Sequence, residues 1–245
     1  DRTCGRDLLL APDPTPQALP AFCVEQGRWT PQGAAGNGQV LVQRASQNGT
    51  ARAPDAQMDA VSLQFAAGGA CLPAAAKVAI LQKGSQQEVW ATVAKERAAN
   101  GSEQSSSGTY CDVLDDEGVG RRAAPYVQAL AALAERHPAA IGCVFALGRE
   151  VVAADRYAHP DLFRRLYGKL LAAHARDAAL RVGATCDPAP ATPVVAEYLR
   201  QAADGQASEQ SGMAGQALRI CENGRTLSFE SRRNDEFVHC SVVNK

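Results

Sequence analysis

The sequence predicts an α+β fold with a mixed or mainly antiparallel sheet, several packed helices and disulfide staples. Three observations carry this prediction. Strand-like and helical segments occur in groups rather than in strict alternation, which is typical of α+β proteins. Two pairs of strand-like segments are joined by short turns. The chain of 245 residues has a globular composition, 46% hydrophobic and 21% charged, and it holds eight cysteines.

The N-terminal part predicts an extended arm followed by one domain. Residues 1–20 hold four prolines and one short apolar run, which favours an arm tied down by Cys4. Residues 21–245 then form a single α+β domain. Within it, residues 39–43 and 61–65 have short apolar or alternating patterns and predict strands.

Two helices are predicted in the middle of the chain. Residues 82–99 place Val89, Trp90 and Val93 at helical spacing, with Trp90 on the buried face, and the helix ends at Asn100-Gly101. Residues 124–137 place another apolar stripe before Pro138. The members of that stripe are Tyr126, Leu130 and Leu133.

The C-terminal half predicts two hairpins separated by two helices. Residues 140–147 and 150–154 flank Gly148-Arg149, and residues 217–221 and 226–231 flank Asn223-Gly224. A third strand follows at residues 237–243. The long helix runs from His159-Pro160-Asp161 to about Leu180, and the second covers residues 193–203. The predicted inner face of the long helix consists of Leu162, Phe163, Leu166, Leu170, Leu171 and His174.

The cysteines predict disulfides and therefore an exported protein, periplasmic or extracellular. No two of them form a C-x-x-C pair, which argues against a zinc ribbon or a thioredoxin-type site. The alternative is that they are buried thiols in a reduced chain. The candidates are Cys4, Cys23, Cys71, Cys111, Cys143, Cys186, Cys221 and Cys240. Their pairing does not follow from the sequence. For Cys23, both a disulfide and a buried thiol remain open as interpretations.

Charge and hydropathy exclude several classes of partner. The net charge of −1 and an aromatic content of 5% give no reason to expect nucleic acid. No apolar run approaches the roughly 20 residues that cross a bilayer, so no transmembrane segment is expected. The four histidines have no metal-ligand spacing, and no cofactor motif is present. The acidic residues 112–120 predict a solvated loop, which lacks a calcium-binding pattern. We therefore expect neither a metal nor a cofactor.

The segment Cys23-Val24-Glu25-Gln26-Gly27-Arg28-Trp29 is the candidate binding site. A carboxylate, a planar cation and an aromatic face can together grip a polar ring or a carboxylated ligand, so Glu25, Arg28 and Trp29 are the predicted ligand-binding residues. His239, on a predicted core strand, joins them. The alternative is a structural Glu25–Arg28 pair beside a core Trp29. A Cys23–His239 thiol site is a third interpretation, which the cysteine count disfavours.

The same segment resembles a bacterial domain family of unknown function, the ARG and Rhodanese-Phosphatase-superfamily-associated protein domain. Further features resemble the family in the same order: Gln86–Trp90, Ser107-Gly108-Thr109, residues 142–155, residues 162–179 and residues 237–243. The proteins encoded beside this family act in ADP-ribose and NAD metabolism, so the resemblance implies a nucleotide-related context.

Two hypotheses for function follow. The first is an exported, non-catalytic binding, interaction or structural module whose partner is a protein or a small molecule. The second is a small-molecule enzyme or a binder of a nucleotide derivative such as NAD or ADP-ribose. A buried Glu25–Arg28 pair would favour the first, and a cleft lined by Glu25, Arg28 and His239 would favour the second.

Overall fold

The computed structural model describes residues 2–3, 22–23, 74–83, 85–99, 117–180, 190–212 and 214–245. The strands are β1 Arg2–Thr3, β2 Phe22–Cys23, β3 Gly142–Leu147, β4 Glu150–Tyr157, β5 Gln206–Ser211, β6 Gln216–Glu222, β7 Thr226–Arg233 and β8 Glu236–Asn244. The helices are α1 Ala74–Lys83, α2 Gln86–Ala99, α3 Glu117–Leu130, α4 Leu133–Arg136, α5 Pro160–Leu180 and α6 Thr192–Ala203. Strands β3 to β8 form one antiparallel sheet in the order β3-β4-β8-β7-β6-β5, which confirms the α+β fold.

Both predicted hairpins are confirmed, as is the third C-terminal strand. Strands β3 and β4 join through Gly148, whose φ of 59° is the left-handed conformation that such a turn requires. Strands β6 and β7 join through Asn223, whose Oδ1 accepts hydrogen bonds from the backbone N–H groups of Arg225 and Thr226. Strand β8 then inserts between β7 and β4, so the two hairpins belong to one sheet.

Helices cover both faces of this sheet. On one face, called the α5 face below, Phe163, Tyr167 and Leu170 of α5 pack with Tyr157 of β4. On the other, the α6 face, Tyr198 and Ala202 of α6 pack with Ala154 and Val242. Helix α1 also lies on the α5 face, where Val78 and Leu81 contact the apolar cluster that includes Leu227, Phe229 and Val243.

The two middle helices differ from the prediction. The segment predicted as one helix over residues 82–99 is split into α1 and α2, and Val89 and Val93 rather than Trp90 are fully buried. Trp90 is half-buried. Helix α1 ends at Lys83 and α2 begins at Gln86, and the sequence between them is Gly84-Ser85, two residues that disfavour a continuous helix.

Helix α3 begins at Glu117, inside the stretch predicted to be an acidic loop, and includes Pro125. Its buried residues are Val119 and Ala123, whereas Tyr126 and Leu130 are 50% and 38% exposed. The predicted apolar stripe was therefore wrong at Tyr126 and Leu130, because Val119 and Ala123 make the contact with α5, whereas Leu133, in α4, does pack against the core.

The described cysteines do not support the disulfide framework. None of Cys143, Cys221 and Cys240 is in a disulfide. Cys143 packs on the α5 face, whereas Cys240 lies on the α6 face and the Cys221 thiol donates toward the Ala203 carbonyl at the end of α6, so the sheet separates Cys143 from the other two. Cys23 lies in β2, and Cys4, Cys71, Cys111 and Cys186 lie outside the described residues.

Several other predictions also fall outside the described residues. These are most of the N-terminal arm, the strands at 39–43 and 61–65, and Glu25, Arg28 and Trp29. Strand β5, by contrast, is described but was not predicted, because all six of its residues are exposed and it has no apolar alternation. Among the helices that the structure describes, none is both long and apolar enough to span a bilayer.

Candidate functional site

A buried aspartate–histidine pair lies on the α5 face of the sheet. His239 of β8 donates a hydrogen bond from Nε2 to Oδ1 of Asp155 on β4, over 3.1 Å, and the two side chains are 8% and 1% exposed. The strand register places Asp155 opposite Ser241 and Tyr157 opposite His239. Since cross-strand neighbours share a face, these four side chains form one cluster between the sheet and α5.

Aromatic neighbours hold the His239 ring in place. The Tyr157 ring stacks on it with 4.2 Å between centroids and 6° between planes. The Phe229 ring meets it edge-on at 5.4 Å. A ring confined in this way and bonded to a carboxylate keeps one orientation.

Asp155 carries a buried negative charge. Burial alone would raise its pKa, but the nearby Lys77 ammonium and the hydrogen bond from His239 lower the pKa to about 2. The second carboxylate oxygen, Oδ2, is buried, and the Ser241 hydroxyl on the neighbouring strand also lowers the pKa. The carboxylate is therefore ionised at neutral pH and is held by a charge on α1 as well as by its own sheet.

Cys143 lies directly opposite Asp155 on β3. Burial, and then the Asp155 carboxylate, raise the pKa of its thiol well above the usual range. A thiol acts as a nucleophile only as the thiolate, which needs a nearby cation or base rather than a carboxylate. The cluster therefore has the residue types of a thiol enzyme but the wrong electrostatics for one.

A cavity of about 380 Å³ opens beside this cluster, between α1, α3, α5 and the β3–β4 end of the sheet. We call it the α1–α5 cavity. Its wall is mostly apolar, and the large apolar side chains in it are Val78, Leu130, Phe145, Leu147, Val152 and Leu171. The polar side chains in the wall are His174, Asp177, Asn244, Lys245 and, through its hydroxyl, Tyr126.

His174 is a buried polar wall residue with unused hydrogen-bonding capacity. Its ring stacks on Phe145 with 3.9 Å between centroids. Burial, and then the Lys77 ammonium, lower its pKa to about 4, so the imidazole is neutral at pH 7. Its Nδ1 lies 3.9 Å from Oδ2 of Asp177, beyond hydrogen-bonding distance, and the ring makes no hydrogen bond within the described residues.

The two C-terminal wall residues are already engaged. Asn244 accepts a hydrogen bond from the Tyr198 hydroxyl at 3.0 Å and donates to the Val151 carbonyl at 2.9 Å. The Lys245 ammonium donates to Glu222 at 2.6 Å and to the Asn223 carbonyl at 2.7 Å. Both side chains therefore close one end of the cavity rather than offer free groups to it.

Of the predicted ligand-binding residues, the structure places His239 alone, because Glu25, Arg28 and Trp29 lie outside the described residues. Their grouping with His239 stays a prediction. The sequence reasoning missed Asp155, His174 as a cavity residue, and Lys77. Asp155 had a usable signal, since it is a charged residue that directly follows the apolar run 151–154 in its strand. No group of three or more metal-ligating side chains occurs in the part of the chain that the structure describes.

Comparisons with known proteins identify the family. No curated protein and no solved structure matches the chain. Residues 1–243 match the ARG and Rhodanese-Phosphatase-superfamily-associated Protein domain, which confirms the resemblance seen in the sequence. Since the match covers nearly the whole chain, the protein belongs to this domain family.

Proposed function

We propose that this domain is a small-molecule-binding module and that the α1–α5 cavity is its site. The observation that carries the proposal is a mostly apolar cavity of about 380 Å³ whose wall holds a neutral imidazole with no hydrogen bond in the described residues. Cavities of roughly 300–1,000 Å³, lined by apolar groups with few polar ones, are typical of ligand sites.

The Asp155–His239 cluster supports binding rather than catalysis. Its thiol is protonated and faces a carboxylate, and its imidazole is confined between Tyr157 and Phe229. These features stabilise the strands that form the floor beside the cavity. They do not supply an activated nucleophile.

Two alanines of α5 give a matched test. Ala178 and Ala172 are both half-buried, but Ala178 lines the cavity and Ala172 does not. We expect the neutral dye N-phenyl-1-naphthylamine to bind the wild-type protein at one saturable site, detected by its fluorescence. Ala178→Phe should abolish this binding and Ala172→Phe should retain it, with circular dichroism confirming that both variants fold. Equal binding by the two variants, or no saturable binding by the wild type, would overturn the proposal.

The nucleotide alternative is tested with the same proteins. What supports it is the implied genomic context of the family. NAD and ADP-ribose should be added in a thermal-shift assay. A saturable stabilisation by either that survives Ala178→Phe would favour a nucleotide site elsewhere in the chain over the cavity.

Export is a separate part of the proposal. The even count of eight cysteines supports it, whereas the absence of a disulfide at Cys143, Cys221 and Cys240 does not. Fractionation of cells that produce the full natural protein tests it. Recovery in the periplasm or the medium is the expected result, and recovery with the cytosolic markers would contradict it.

A further inference from the structure

We infer that the ligand of the α1–α5 cavity is an uncharged, planar aromatic molecule with one hydrogen-bonding group that meets His174. This inference rests on the proposed function and specifies its ligand class.

The state of the wall charges selects against a charged ligand. The Lys245 ammonium is already held by Glu222 and the Asn223 carbonyl, and His174 is neutral at pH 7. An anion would therefore enter a mostly apolar space without a free cationic partner among the wall residues that the structure describes. A cation would be repelled by the half-buried Lys77 ammonium, which is close enough to lower the pKa of His174, and the Asp177 carboxylate in the wall already has an interaction of its own. Either transfer is costly because a buried charge needs a partner.

The wall surfaces select for a planar ring. Phe145 and His174 stack within 26° of parallel and form one part of the wall, and the half-exposed ring of Tyr126 forms another. Aromatic rings prefer offset stacked or edge-on contacts with one another, which an aromatic ligand makes and an aliphatic ligand does not.

The imidazole supplies the polar contact. A neutral imidazole has one donor and one acceptor nitrogen. Neither has a hydrogen bond in the described residues, and Asp177 is too distant at 3.9 Å. An amide, phenol or ring-nitrogen group on the ligand fits either role.

Four probes of similar size separate these requirements in isothermal titrations at pH 7. They are benzamide, benzoate, benzylammonium and cyclohexanecarboxamide. We expect benzamide to bind the wild type at least tenfold more tightly than each of the others. Equal affinity for benzoate or benzylammonium would overturn the uncharged class, and equal affinity for cyclohexanecarboxamide would overturn the planar class. In those cases the proposed function would stand, because a probe still occupies the cavity.

A variant tests the polar contact. His174→Phe keeps an aromatic ring against Phe145 and removes both nitrogens. The affinity for benzamide should therefore fall about tenfold, while the affinity for toluene should be unchanged. His159→Phe is the control, because His159 is 68% exposed and lies away from the cavity. Unchanged benzamide affinity in His174→Phe would overturn the role of His174. If His174→Phe does not fold, the wild-type ranking of the four probes still decides the ligand class. Failure of all four probes and of the neutral dye would overturn the inference and the proposed function together.

Discussion

His239 and Asp155 are joined by a 3.1 Å hydrogen bond across strands β8 and β4, beneath α5. The bond links the C-terminal strand to the β3–β4 hairpin, so it connects two hairpins that are distant in the sequence. It also gives a buried carboxylate a hydrogen-bond donor from its own sheet.

Removing the His239 imidazole should therefore destabilise the fold. His239→Leu leaves Asp155 buried without its strongest hydrogen-bond donor, and we expect the free energy of unfolding to fall by about 3–5 kcal/mol. Urea denaturation measures this free energy of unfolding. The control is Arg225→Leu, which breaks an exposed 3.6 Å pair with Glu150 and should cost about 1 kcal/mol or less. Similar losses in the two variants would contradict a buried, paired role for His239.

His174 should make stability depend on pH. Its folded pKa of about 4 lies below its usual value near 6.5, so the unfolded chain binds more protons between these values. Stability should therefore fall as pH drops from about 6.5 to about 4, by about 3 kcal/mol in total. Urea titrations at several pH values should show a shallower slope for His174→Phe than for wild type and for His159→Phe. Parallel slopes in all three proteins would show that His174 is not buried and neutral.

Asp155 acts in a different pH window. The pKa of Asp155 in the folded protein is lowered to about 2. Its contribution to the free energy of unfolding is therefore present above the unfolded pKa near 3.9 and is lost as pH falls toward 2. Asp155→Asn should therefore lower stability at pH 7 and reduce the further loss between about pH 4 and pH 2. An unchanged acid limb in this variant would contradict the ionised, stabilised carboxylate.

Gly142 should tolerate no side chain. A Cβ there would come within 2.9 Å of the Arg156 Cα and closer still to the Asp155 carbonyl oxygen. Gly142→Ala should therefore shift β3 against β4 and lower the thermal midpoint by several degrees. Gly168→Ala in α5 is the control, since no atom lies within 4 Å of its added Cβ, and it should raise stability by about 0.5–1 kcal/mol. Stabilisation by both changes would contradict the close approach of β3 and β4.

The cysteines allow a direct count. Cys143, Cys221 and Cys240 are not in disulfides, and the five others can form at most two bridges within a chain. Titration in denaturant without reductant should therefore find at least four thiols per chain. In the native protein Cys143 should react more slowly than Cys240, which has a similar partial exposure, because burial and the Asp155 carboxylate raise the pKa of the Cys143 thiol. A titre below three would restore the predicted disulfide framework.

The sequence predicted the elements that have strong local signals. The long helix α5 has an apolar stripe and a Pro160 start, and both hairpins have glycine turns, so local pattern and tertiary packing agree there. Strand β5 has neither apolar alternation nor buried residues, and it forms because β6 offers an edge. No local pattern could have predicted it.

The site was harder to predict because it depends on contacts between distant segments. Lys77 on α1, Asp155 on β4 and His174 on α5 influence one another only after the helices pack on the sheet. His174 itself was predicted on the inner face of its helix, which is correct, since it is 9% exposed. Its place in a cavity wall depends on α1 and α3, whose boundaries the sequence pattern did not give.

The most direct measurement is the histidine ring spectrum during a benzamide titration. The chain has four histidines, and His174 alone among them lines the α1–α5 cavity. Two-dimensional NMR of the ring carbons, assigned with His174→Phe, should show saturable shifts at His174 and little change at His137 and His159. Saturation with no shift at His174, or shifts confined to the exposed histidines, would contradict the cavity as the binding site.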